Sequence, residues 1–178
     1  MKTDFIGRKI ELESLETAYA KDNFQMCILY GRRRVGKTTL INEFIRGKDH
    51  ISFTAIKGSL SRNLDLFGES VLDYFMPGMT GFNFKDIKDI FQIISKNIGD
   101  QKLIIAIDEL PYLAEADESF LSLLQIEIDK NWLHKKIFLI LSGSSISFME
   151  QEILSSKSPI YGRRTMQIDL KPFDYIDT

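Results

Sequence analysis

The stretch Gln25-Met26-Cys27-Ile28-Leu29-Tyr30-Gly31-Arg32-Arg33-Arg34-Val35-Gly36-Lys37-Thr38 decides how the chain folds. Gln25–Tyr30 is a short apolar run and reads as a strand. Residues 31–36 read as a loop, and 37–46 as a helix with Leu40, Ile41, Phe44 and Ile45 on one side. Between strand and helix, Gly31 to Thr38 fits the pattern GxxxxGK[ST]. Chance would place it in a chain this long on the order of once in a hundred or two, and its position between strand and helix raises the odds further. Each part has a physical task. Gly31 and Gly36 let the backbone curl so that its N–H groups face phosphate. The helix that starts near Lys37 adds the positive end of its dipole. Lys37 is placed to reach the β- and γ-phosphates of a nucleotide, and the Thr38 hydroxyl to ligate Mg²⁺. Arg32, Arg33, Arg34, Val35 and Thr39 complete the candidate nucleotide-binding stretch. The competing reading is an ordinary glycine turn.

Outward from this stretch, short apolar runs alternate with helical patterns. Residues 10–20 read as an amphipathic helix, with Ile10, Leu12, Leu15 and Ala18 between glutamates. Downstream, strands are expected at 51–56, 102–107, 136–141 and 165–170, and helices at 60–75, 85–98, 119–132 and 146–154. Residues 76–84 hold one Pro and two Gly and are the clearest loop. Runs that are apolar throughout imply strands covered on both faces, and their alternation with helices implies a parallel sheet. The expected fold class is α/β, a three-layer α/β/α sandwich with about five parallel strands, in one domain over 1–178.

Composition narrows the function. At 178 residues the chain needs no disulfide or metal staple. The single cysteine, Cys27, and the widely separated His50 and His134 argue against a His/Cys metal site; Cys27, mid-strand, reads as inert core. A net charge of −2, from 23 basic and 25 acidic residues, gives no support for a strongly nucleic-acid-binding surface. The longest apolar runs are about a quarter of a membrane span, and no signal-peptide core is visible, so the expectation is a cytoplasmic protein without membrane contact.

Three further motifs carry candidate chemistry. The run Ile104-Ile105-Ala106-Ile107 ends in Asp108-Glu109, at the end of a strand where parallel sheets bind ligands. Asp108 is placed to hold Mg²⁺ through water, and Glu109 to orient and deprotonate an attacking water. Leu141-Ser142-Gly143-Ser144-Ser145 offers hydroxyls either to a γ-phosphate and the lytic water or to a helix N-terminus as caps. In Tyr161-Gly162-Arg163-Arg164, an arginine either stabilises transferred phosphoryl charge, in its own or a neighbouring subunit, or is a solvated charge before an edge strand. The three arginines Arg32 to Arg34 either offset Asp108 and Glu109 or contact a partner.

Together these residues resemble the AAA+ ATPases, and within them the archaeal/bacterial ATPase family near the STAND NTPases and the origin-recognition ATPases. Phe5-Ile6-Gly7-Arg8, followed by Glu11 and Leu15, resembles the family's opening; the resemblance implies that Phe5, Ile6 and Gly7 lie against adenine. Residues 28–38 resemble its phosphate loop, Ile107-Asp108-Glu109 its Walker B, and Leu141 to Ser144 its sensor 1 strand, which implies a catalytic role for Ser144. Pro159-Ile160-Tyr161-Gly162-Arg163 resembles the segment that carries a proposed arginine finger, which implies Arg163. Lys171-Pro172-Phe173 resembles the start of a link to a helical lid, so the resemblance implies a nucleotide-binding core whose lid lies beyond Thr178. The expected activity is Mg²⁺-dependent hydrolysis of ATP to ADP, coupled to a conformational change that serves a protein partner or self-association. ATP over GTP rests on the resemblance and on the absence of an Asn-Lys-x-Asp motif. The alternatives are a DNA-associated, origin-recognition-like ATPase, a slow STAND-like signalling switch, and a small-molecule P-loop kinase.

Overall fold

Residues 7–173 are described in a computed structural model. In chain order the elements are α1 (Lys9–Tyr19), β1 (Gln25–Tyr30), α2 (Lys37–Ile45), β2 (His50–Thr54), α3 (Leu60–Phe75) and α4 (Ile87–Asn97). They continue with β3 (Leu103–Asp108), α5 (Leu110–Ala116), α6 (Phe120–Glu127), β4 (Ile137–Gly143), α7 (Ile146–Phe148) and β5 (Met166–Asp169). The five strands form one sheet in the order β2-β3-β4-β1-β5, and every pairing is parallel.

The three central strands are buried along their whole length because helices cover both faces. Alternate residues serve opposite cores, as the two-residue period of a strand requires. Met26, Ile28, Ile105, Ile107, Leu139 and Leu141 pack with Leu64, Phe67, Ile90, Phe91 and Phe120 of α3, α4 and α6. Cys27, Leu29, Ile104, Ala106 and Ile140 pack with Leu15 of α1 and Leu40, Ile41 and Phe44 of α2. The architecture is the α/β three-layer sandwich expected from the alternation of runs. Burial pushes the Cys27 thiol up to about 12, in keeping with an inert core residue.

Register places the functional ends together. Tyr30 is level with Gly143, Ile107 with Leu141, and Thr54 with Asp108. The C-terminal ends of β1, β3 and β4 therefore share one rim. The chain leaves β1 toward the distant β2, with β5 on the other side, so this rim lies where the strand order switches, the usual ligand crevice of such sheets.

Some boundaries differ from expectation. β2 ends at Thr54, two residues early; the Ala55 N–H, bonded to the Asp108 carbonyl, makes the last bond of the β2–β3 ladder. The expected helix at 119–132 is α6 followed by a π-helical turn over Ile128–Trp132; Ile128 and Trp132 are both buried, and Trp132 Nε1 donates to Ser95 Oγ at 2.9 Å. The expected helix at 146–154 is likewise α7 plus a π-helical turn over Met149–Ile153. Helix α5 is not anticipated by the sequence pattern; its cue is Pro111 in the first turn, where proline is tolerated. No helix among the described residues is long and apolar enough to cross a membrane.

Candidate functional site

The phosphate-loop stretch leaves β1 at Tyr30 and enters α2 at Lys37, with Gly36 at φ 99° and Arg34 at φ 67°. Both lie in the left-handed region, which favours glycine at Gly36 and strains Arg34. No atom lies within 4 Å of where a Cβ on Gly36 would stand, so the glycine serves the turn and keeps the loop open. At Gly31 the reason is different: a side chain there would collide with the Leu170 carbonyl, so only glycine allows the loop to start against the end of β5.

The Lys37 ammonium is buried and donates to the carbonyls of Gly31 (2.8 Å) and Arg32 (2.9 Å). Burial lowers its pKa, against the raising influence of Glu109 and Asp108; Arg33 also lowers it. The ammonium thus closes the loop from inside with at most one N–H left for a ligand.

The acidic pair after β3 meets this loop. Asp108 is buried and its carboxylate accepts from the Thr38 hydroxyl at 2.6 Å, from the Glu109 N–H at 3.0 Å, and from the Ser142 hydroxyl. A buried carboxylate needs such donors, because an unpaired one is costly. Glu109 sits at φ 57°, where the chain turns from β3 into α5. Its Oε1 accepts from the Ser144 hydroxyl at 2.5 Å, and its other oxygen has no hydrogen-bond partner among the described residues. The serine run therefore divides its work: Ser142 and Ser144 face the carboxylates, while Ser145 caps α7 by accepting from the Phe148 N–H at 3.4 Å.

A cleft of about 450 Å³ opens over this cluster, lined by Arg33, Arg34, Gly36, Lys37, Thr38, Thr39, Glu109, Tyr112 and Ser144. Its wall is cationic on the loop side and carboxylate on the β3 side, a distribution suited to a polyanion carrying a hard cation. Oxygen donors from Thr38 and Asp108 match the preference of Mg²⁺, which takes few protein ligands and completes its shell with water and phosphate. No group of three or more His, Cys, Asp and Glu side chains that could hold a metal exists among the described residues.

Other expected site residues lie elsewhere. Phe5 and Ile6, expected against adenine, are outside the described residues. Gly7 lines a second cleft of about 500 Å³ with Arg8, Glu11 and Phe173. Arg32 contributes its carbonyl to Lys37, and Val35 is buried behind the loop. Arg163 is not brought to the phosphate-loop cleft: it lies in a 3-10 turn (Tyr161–Arg163) and makes a two-point pair with Asp129, at 2.9 and 2.6 Å. That pair raises its pKa, chiefly through the hydrogen bond to Asp129. Two contacts at the loop are not apparent from the motifs. Tyr112 accepts from Arg33 at 2.8 Å across the cleft, and Arg8 donates to the Val35 carbonyl at 2.8 Å. Pro111, which starts α5 just after Glu109, is the available signal for Tyr112.

Comparisons with known proteins bear on the family and the fold. Residues 5–178 match the family described as an ATPase domain predominantly from Archaea. An uncharacterized protein of Methanocaldococcus jannaschii is 33% identical over 174 residues, covering 96% of this chain and 36% of that protein. The chain thus spans about a third of that relative's length. An uncharacterized ATP-binding protein of the same organism is 52% identical over 44 residues, 25% of this chain and 75% of that one. Among solved structures, the Walker-type ATPase of Pyrococcus abyssi superposes with a TM-score of 0.65 at 23% identity, covering 99% of this chain and 56% of that one. The Aeropyrum pernix ORC1 protein, solved in complex with DNA, gives 0.70 at 18% identity, covering 95% and 46%.

Proposed function

The chain belongs to the family of ATPase domains found predominantly in Archaea, and on that premise we propose that it binds ATP with Mg²⁺ and hydrolyses it to ADP and phosphate. The observation that carries this reading is the interlock of Lys37, Thr38, Asp108, Glu109 and Ser144 around one cleft.

The chemistry rests on what each side chain does. Loop N–H groups, the start of α2 and the cations Arg33 and Arg34 would hold the phosphates. Thr38 and Asp108 would hold Mg²⁺, which neutralises charge on the β- and γ-phosphates when bound. Glu109, with one oxygen taken by Ser144, has the other to accept a proton from water. The water oxygen then bonds to the γ-phosphorus, the bond to the β–γ bridging oxygen breaks, and ADP leaves with that electron pair. Ser144 fixes the Glu109 carboxylate in this role. Arg163 would act from one protomer on the next, since it does not line the cleft of its own chain.

Hydrolysis would drive a conformational change read by a protein partner or a second copy. A DNA-associated role, the setting of the ORC1 neighbour, is the second reading. It rests on that likeness of fold, and the net charge of −2 does not favour it. The test of the main reading is phosphate release from ATP and from GTP, with Mg²⁺ and after chelation. The expected result is release from ATP that chelation stops. Release that survives chelation, or faster release from GTP, would contradict it.

A further inference from the structure

Arg8 stands just before α1 with 5% of its surface exposed. One of its terminal nitrogens, Nη2, donates to the Val35 carbonyl at 2.8 Å and to the Lys171 carbonyl at 2.6 Å. The guanidinium carbon lies 4.1 Å from the centre of the Phe173 ring, and Nη1 is 3.4 Å from Glu11. Its Nε is buried with no hydrogen-bond partner among the described residues. A buried cation so arranged, with its nearest carboxylate at the far end of hydrogen-bond range, is a poor device for stability alone. Its achievement is to join two segments remote in sequence.

Those segments are the phosphate loop and the link after β5. The Val35 carbonyl and the Gly36 N–H belong to one peptide unit, so a charged donor on that carbonyl fixes how this N–H is aimed. The Lys171 carbonyl belongs to a peptide with Pro172, which has no N–H, so the carbonyl is that peptide's sole hydrogen-bonding group. The same link touches the loop at its other end. Leu170 N donates to the Tyr30 carbonyl at 2.7 Å, and its own carbonyl abuts Gly31. The loop is thus held against the link at both ends, with Arg8 as the second clamp.

We propose that Arg8 is a positioning residue that couples the phosphate loop to the link at 170–173, so that occupancy of the loop is felt in the link. This rests on the nucleotide reading above and deepens it: the link, through Arg8, is the route by which the site moves the chain beyond β5. Lysine would not replace it: a rotating ammonium has no plane to stack on Phe173, and without that stacking its N–H groups are not held toward both carbonyls.

The test is hydrogen–deuterium exchange of the protein at 31–38 and 170–173, alone, with Mg²⁺-ATP, and with Mg²⁺-tripolyphosphate, which has no base to touch the link directly. Both ligands should slow exchange in both segments, by about tenfold for a charge-assisted bond made firmer. In Arg8→Met, which keeps the apolar stem, both ligands should still protect 31–38 but leave 170–173 unchanged. Arg8→Lys should recover less than half of the response, and it carries the test if exchange in β3 and β4 shows Arg8→Met to be unfolded. Equal protection of 170–173 in the native protein and the variants would overturn the coupling. So would tripolyphosphate protecting 31–38 and not 170–173 in the native protein, or ATP protecting both segments while tripolyphosphate protects neither. The link would then be answering the base. If ATP protects neither segment of the native protein, the nucleotide reading itself fails, and the coupling with it.

Discussion

At the ends of β1, β3 and β4, Asp108 accepts from Thr38, Ser142 and the Glu109 N–H, and Glu109 accepts from Ser144. At the corner formed by Tyr161–Arg163, Arg163 has one carboxylate, Asp129, and both partners are about a third exposed. The first region is a network around the buried Asp108, drawn from the ends of β3 and β4 and the first turn of α2. The second is a single ion pair in water. The difference teaches where each arrangement is specified. The network needs every donor to satisfy a buried carboxylate, so the fold itself demands it. The exposed pair contributes little to its own fold, and Arg163 does not line the phosphate-loop cleft of its own chain.

The largest expected effect lies on the buried side. Glu109→Gln keeps the shape and the Ser144 contact but removes the proton acceptor, so turnover should fall by roughly 10²- to 10⁴-fold while ATP stays bound. Single-turnover phosphate release would measure it, and an unchanged rate would remove Glu109 as the base. Next is Ser142→Ala. It deprives the buried Asp108 carboxylate of a donor and should cost about 1–3 kcal/mol of stability, read as a shifted denaturation midpoint with unchanged slope. A midpoint unmoved would place Ser142 outside the network. Smallest is Arg163→Ala, with a stability cost of at most about 1 kcal/mol and no loss of ATP affinity in a single protomer. If that variant lost ATP binding instead, Arg163 would belong to its own site and the contrast between the two regions would collapse. If it lost only turnover, and only at concentrations where copies associate, the contrast would sharpen into a role between protomers.

Legibility follows the same divide. Lys37, Thr38, Asp108, Glu109 and Ser144 are readable because each sits at a fixed offset from a strand end, and parallel pairing brings strand ends to one rim. The α/β alternation is readable from apolar runs that lack any polar face. The features that escape depend on tertiary contacts. The π-helical turns at Ile128–Trp132 and Met149–Ile153 break the helical period where Trp132 and Met149 are buried, and no local pattern announces them. Helix α5 is too short for a periodic signal. The bonds from Arg33 to Tyr112 and from Arg8 to Val35 and Lys171 join residues far apart in the chain, which spacing cannot reveal.

The central claim is that the buried cluster is an ATP site built around Lys37. Calorimetric titration of the protein with ATP in Mg²⁺, beside Lys37→Ala, tests it most directly. Truncation removes the ammonium that closes the loop on Gly31 and Arg32. The account predicts saturable binding of ATP by the protein and a loss of roughly a hundredfold or more in the variant, as for two charge-assisted bonds. Equal affinity in both, with the variant folded, would contradict it.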